Sequence, residues 1–145
     1  MGVEDLKKSL ETLEKNGEKL DGQLDRLERK EEEIKRTLSR LDALEAQHDL
    51  STETKSKIES EKTRHKEEIE RIKVAKHGLK KEIYKCLNDV RAIDKKNNSD
   101  MKAIQKLKKT GADVTEIERK NISRRKKLEK TKSKLARLLA RAGAS

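Results

Sequence analysis

Between Val3 and Leu41 an aliphatic side chain recurs at alternating steps of three and four: Val3, Leu6, Leu10, Leu13, Leu20, Leu24, Leu27, Ile34, Leu38 and Leu41. Only Gly17 and Glu31 occupy a rung of this ladder without an apolar side chain. A mean spacing of about 3.5 keeps one stripe turned towards a neighbouring helix, the pattern of a coiled coil. A chain with this ladder must bury a long, narrow stripe, and packing long helices together does that.

The rest of the composition suits such a seam better than a globular core. Charged residues make up 46% and hydrophobic ones 30%, against roughly 25% and 45–50% in ordinary globular domains. Phe, Trp and Pro are absent, and Tyr84 is the sole aromatic residue. A compact globule of 145 residues needs more apolar volume than this. Without proline, helices can run long. High charge also suits a disordered chain, but the regular heptads argue against disorder.

No apolar run approaches the roughly 18–20 residues of a membrane span. The stretch from Met1 to Leu10 carries Glu4 and Asp5 where a signal peptide would have an apolar core. The expectation is a cytoplasmic protein. Cys86 is the only cysteine, so no internal disulfide forms and a reducing compartment fits. The N-x-S contexts of Asn97 and Asn121 are read as chance matches.

Charge divides the chain. Residues 1–47 hold ten Lys/Arg and thirteen Asp/Glu, residues 48–97 fourteen and ten, and residues 98–145 fifteen and five. An acidic front is followed by a basic rear within a net charge of +11.

The predicted fold class is all-α. A long antiparallel coiled-coil hairpin covers residues 1–97, with helices over about 3–47 and 52–97, and a basic helical segment follows over 98–145. The turn falls at His48-Asp49-Leu50-Ser51-Thr52-Glu53, where Ser51 or Thr52 can cap the next helix and the heptad phase changes. So short a connection favours antiparallel neighbours. The second seam carries Ile58, Ile69, Ile72, Leu79, Ile83, Cys86, Val90 and Ile93, interrupted by Lys62, His65 and Lys76. Folding back places Leu79 to Ile93 beside Leu6 to Leu24, and Ile69 and Ile72 near Leu27 and Ile34. Gly17 is expected to admit a bulky side chain from a facing helix.

Weaker breaks stand at 95–100, where the phase is unchanged, and at 110–114. Gly111 can end a helix there, and Thr115 with Glu118 forms a capping-box pattern. The last helix should reach about Ala142, with Leu128, Leu135, Leu138 and Leu139 on one side and Gly143-Ala144-Ser145 fraying. It either extends the rod or folds back as the third helix of a bundle. Leu44, Val74 and Leu87, off the main seam, call for a third helix to cover them. A long hairpin followed by smaller helices resembles the ESCRT-III fold in architecture over about residues 1–110. That family has a basic first helix and an acidic C-terminal part, the reverse of this chain, and no membership is inferred.

Two groups of residues are candidates for function. Arg119 to Arg141 hold eleven Lys/Arg against one acid, Glu129. Arg119, Lys120, Arg124, Arg125, Lys126, Lys127, Lys130, Lys132, Lys134 and Arg137 are assigned to an anionic partner, since such a rod can neutralise many phosphates or acidic side chains. The same face could instead pack on the acidic first helix of this or a neighbouring chain, or lie on anionic lipid. The seam residues Leu6, Leu10, Leu13, Leu20, Leu24, Leu27, Ile34, Leu38, Leu41, Ile69, Ile72, Leu79, Ile83, Val90 and Ile93 are assigned to helix pairing and self-association into homo-oligomers or filaments.

Other chemistry finds little purchase. Single-strand stacking needs aromatic side chains, so nucleic-acid binding would be backbone-directed and blind to sequence. Basic-zipper proteins place the basic helix before the zipper, and here it comes last. His48, His65 and His77 are too scattered for a zinc site, and His65 and Cys86 sit on the seam as packing residues. No catalytic residues, metal, cofactor or small-molecule substrate are expected. The functional expectation is a non-enzymatic coiled-coil scaffold that self-associates and docks on an anionic partner through its basic C-terminal helix. The alternative is a sequence-non-specific nucleic-acid-binding or compacting protein that uses the coiled coil to multimerise.

Overall fold

The computed structural model describes residues 3–47 and 49–143, with side chains from Leu6 onward. The side chains of Val3, Glu4 and Asp5, and the expectations placed on Met1, His48, Ala144 and Ser145, lie outside the described residues. Three helices account for most of the rest: α1 (Val3–Glu45), α2 (Thr52–Lys109) and α3 (Thr115–Gly143). At about 1.5 Å per residue, α2 is a rod of roughly 87 Å, and α1 and α3 are about 65 and 44 Å long. Among the described residues no helix is long and apolar enough to cross a membrane.

Local chemistry sets the ends. Ser51 caps α2: its hydroxyl accepts a hydrogen bond from the Thr54 amide at 3.1 Å, and Glu53 lies in the first turn. At the other end Gly111 takes φ +85°, a left-handed conformation that only glycine adopts without strain. The amides of Gly111 and Ala112 then donate to the carbonyls of Lys108 and Leu107. The cap of α3 differs from the expected box. Asp113, not Thr115, supplies the acceptor: its Oδ1 takes hydrogen bonds from the Thr115 amide (3.2 Å) and hydroxyl (2.9 Å). A carboxylate two residues back reaches the amide of Thr115, which is itself already helical.

α1 and α2 form the expected antiparallel hairpin, and α3 folds back rather than extending the rod. The register of the hairpin is marked by ion pairs. Lys76 Nζ lies 3.0 Å from Glu31, and Lys62 Nζ lies 2.8 Å from Asp42 and 3.1 Å from Glu45. α3 runs antiparallel to α2 and parallel to α1. Asn97 meets Asn121, and Leu135 faces Gly17. α2 passes through residues 97–100 without interruption, so the division drawn at residue 97 falls inside one helix. The unchanged heptad phase across that stretch is the reason.

Three zones follow along the rod. In the middle, all three helices share one core of Leu6, Leu10, Leu13, Leu20, Leu24, Ile83, Cys86, Val90, Ile93, Leu128, Leu135, Leu138 and Ala142, with Leu79, Leu87 and Leu139 against its edge. Towards the 45–52 turn, α1 and α2 continue alone as a two-helix stalk. Its fully buried apolar residues are Ile34, Ile58 and Ile72, while Leu27, Leu38, Leu41 and Ile69 are half-buried. Each fully buried Leu or Ile contributes about 1.5–3 kcal/mol, so the bundle holds most of the stability and the stalk little. At the opposite end, α2 and α3 project past the start of α1 as a short hairpin closed by Gly111.

The third helix covers only part of what was expected of it. Leu87 packs at the bundle core, but Leu44 (45% exposed) and Val74 (72%) stay in solvent. Both lie on the stalk, which α3 does not reach.

Candidate polyanion-docking surface

The basic run of α3 is divided by its own heptad. Buried positions recur as Asn121, Arg124, Leu128, Thr131, Leu135, Leu138 and Ala142, at steps of three and four. Of the other twenty-two residues of α3, ten are Lys or Arg, and the heptad turns most of these outward. Arg119, Lys120, Arg125, Lys126, Lys127, Lys130, Lys132 and Arg137 are exposed, and Lys134 is half-buried. Arg119 is held by Glu116 at 2.7 Å and Arg125 stands 3.7 Å from Glu129. The hydrogen bond from Arg119 draws the Glu116 carboxyl below its ordinary range. Exposed pairs of this kind are weak, so they do not withdraw the cations from a competing polyanion.

Arg124 is a correction. Its seam position turns it inward, it is 9% exposed, and its Nε donates to Asn97 Oδ1 at 3.2 Å. The Asn121 amide donates to the Asn97 carbonyl at 3.0 Å. Asn97 and Asn121 are each 1% exposed. Arg124 therefore belongs to a buried polar layer between α2 and α3, not to the docking face.

Cations that the sequence reading passed over join the face through tertiary structure. The Gly111 turn folds the last turns of α2, with Lys95, Lys96, Lys102, Lys106, Lys108 and Lys109, against the first turns of α3. Residues 95–126 hold eleven Lys/Arg and four Asp/Glu, whereas the stalk, residues 27–76, holds thirteen of each. The excess of fifteen to five in the last third of the sequence was the available signal. At the elbow a cleft of about 590 Å³ is lined by Lys108, Val114, Glu118, Arg119, Ile122 and Lys126. Lys108 and Glu118 span it at 3.4 Å.

The edge of α3 towards α1 faces acids of the same molecule. Lys127, Lys130 and Lys134 line a cleft with Glu14 and Glu18 of α1. Arg141 ends this edge as a clamp, with Nη1 2.9 Å from Asp21, and Nη2 2.6 Å from Asp25 and 2.9 Å from Glu28. The carboxylate of Asp25 above all, with those of Asp21 and Glu28, raises the pKa of Arg141 further, against the opposing effect of burial. The acidic front and basic rear thus meet inside one chain.

The residues assigned to self-association face one another across this intramolecular core. Leu6, Leu10, Leu13, Leu20, Leu24, Ile34, Ile72, Ile83, Val90 and Ile93 are buried within the chain itself, and Leu27, Leu38, Leu41, Ile69 and Leu79 are half-buried along the same seam. They are hairpin and bundle residues, and among the described residues they pack within one chain. Compared with protein-family models, curated proteins and solved structures, the chain finds no match.

Proposed function

We propose that this protein is a non-enzymatic helical scaffold that docks on an anionic polymer through the basic end of its rod. The observation that carries this reading is the eleven-to-four excess of cations over residues 95–126, where the end of α2 and the start of α3 pack together, beside a stalk of zero net formal charge. Such an end attracts polyanions by counterion release and needs no base-specific contact. The stalk then serves as a spacer. Filament formation drops out of the reading, because the seam that suggested it is filled within the chain.

The test is binding of the full chain to a labelled duplex DNA and to polyglutamate as salt is raised. If about 6–10 phosphates are neutralised, duplex affinity should fall about 10³–10⁵-fold between 50 and 200 mM salt. Arg125→Glu with Lys126→Glu should weaken binding of both polymers. No binding of either polymer at 50 mM salt would overturn the reading.

A further inference from the structure

Where α1 and α3 lie side by side, their edges carry opposite charge. On α1, Glu11, Glu14, Glu18, Asp21, Asp25 and Glu28 follow one another at steps of three and four. That spacing sets all six along one edge of the helix. On α3, Lys127, Lys130, Lys134, Arg137 and Arg141 form a basic edge with the same spacing. The two helices are parallel, so the facing sets repeat together. A shift of one heptad carries Glu14, Glu18 and Asp21 onto Asp21, Asp25 and Glu28, and carries Lys134 onto Arg141. The two rungs differ in closure. Arg141 is closed on its three carboxylates at 2.6 to 2.9 Å. One heptad back, Lys127, Lys130 and Lys134 share an open cleft of about 270 Å³ with Glu14 and Glu18, floored by Gly17, Thr131 and Leu135. Among the described residues none of these three lysines is held in an ion pair.

We propose that the acidic edge of α1 is an internal competitor for the polyanion: Glu14 and Glu18 hold Lys127, Lys130 and Lys134 back from the docking face and so limit how tightly the chain binds. The three lysines adjoin that face directly, since Lys127 follows Arg125 and Lys126 in the helix. Arg141 shows that the edge accepts carboxylates. A role confined to folding is already served by Arg141 and by Leu128, Leu135 and Leu138 in the core, and calls for no acids at positions 14 and 18. The hold on the lysines is reversible. Attraction across a solvent-filled cleft is weak and screened by salt, and a lysine carries its charge on a flexible four-carbon stem. Freed of the two carboxylates, the ammonium groups can turn to a phosphate without any movement of α3. The inference rests on the reading that the basic end docks on anions, and adds how that docking is restrained.

The test compares duplex DNA binding by the full chain with two variants of equal charge. One is Glu14→Gln with Glu18→Gln. The other is Glu32→Gln with Glu33→Gln, which lies about 21 Å further along α1 at about 1.5 Å per residue, beyond the screening length of about 10 Å at 0.1 M salt. At that salt the first variant should bind about tenfold more tightly, and its log affinity should fall more steeply with log salt by about 0.9 for each lysine released. The stalk variant should match the unaltered chain. Lys127→Gln, Lys130→Gln and Lys134→Gln together should cancel the gain in the Glu14→Gln, Glu18→Gln background and cost the unaltered chain much less, a coupling that independent sites do not show. Circular dichroism melts check that each variant folds. If Glu14→Gln loosens the bundle, Glu18→Gln alone, at an exposed position, should give a smaller gain in the same direction. No gain at positions 14 and 18, an equal gain in the stalk variant, or a gain that outlasts the three lysines overturns the proposal and leaves anion docking intact. Failure of the unaltered chain to bind duplex or polyglutamate overturns the underlying reading instead.

Discussion

Gly17 shows how much one seam position can decide. It interrupts the ladder of α1, it is buried, and Leu135, fully buried, projects towards it from α3. The missing side chain was legible in sequence, but the residue that uses the space was not, since it lies in another helix. A Cβ built at Gly17 would meet Leu135 Cδ2 at 3.9 Å, an ordinary contact. Gly17→Ala should therefore stabilise the chain by about 0.5–1 kcal/mol through helix propensity, read as a rise in the midpoint of urea unfolding. Leu135→Ala removes the partner and should cost about 2–5 kcal/mol in the same measurement. Cys86 is set by the same core. Burial, with Asp89 and Glu82 nearby, pushes its thiol above the ordinary range. Iodoacetamide should label it only at the rate of unfolding, and rapid labelling of the native chain would show that the core is open. Arg124 carries the opposite lesson. Within a run of four basic residues it looked like its neighbours, and only the heptad phase of α3 separates it from them.

At the scale of the elements, gaps in one seam answer gaps in the other. Glu31 breaks the ladder of α1, Lys76 breaks that of α2, and the two meet at 3.0 Å with side chains 13% and 6% exposed. Burial opposes the charge on Glu31, but hydrogen bonds from Lys35 and Lys76 outweigh it and hold its carboxyl below the ordinary 4.5. Lys62 does the same at the stalk turn. Its hydrogen bonds lower Asp42 and Glu45 below their ordinary values, and its own pKa is raised in return. Pairs of this kind fix register more than they stabilise. Replacing both partners, Glu31→Leu with Lys76→Leu, should leave the stalk as stable or up to about 3 kcal/mol more stable, whereas Lys76→Leu alone should destabilise it by leaving Glu31 buried without its partner. Thermal melts of the three variants distinguish these outcomes. A carboxyl with a lowered folded pKa stabilises above its unfolded pKa and loses that contribution as pH falls through the folded value. Below pH 4.5 the stalk should therefore loosen before the bundle, and hydrogen exchange at pH 6 and pH 3, corrected for intrinsic rates, should show residues 27–76 losing protection first. Equal loss throughout would refute this.

At the scale of the whole molecule, the chain is an asymmetric rod: a thin neutral stalk, a three-helix middle and a basic hairpin end. Deleting residues 119–145 is no test of docking, because it removes Leu128, Leu135 and Leu138 from the core. Charge reversal on the exposed face keeps the fold and isolates the electrostatics. With the seam filled within one chain, sedimentation should report an elongated monomer at physiological salt, and a stable oligomer would require an interface outside the seam. The sequence by itself determined the helices, the antiparallel hairpin and the turn at Ser51, because heptad spacing and capping are local and act through neighbours three or four residues apart. It also held the polarity of charge. What only the tertiary structure decided is where α3 goes. Extending and folding back satisfy the same local pattern, and the choice is made by contacts more than a hundred residues apart, Leu135 over Gly17 and Arg141 on Asp21, Asp25 and Glu28. That choice turns one stretch of basic sequence into an inner edge that neutralises α1 and an outer face that remains free to bind.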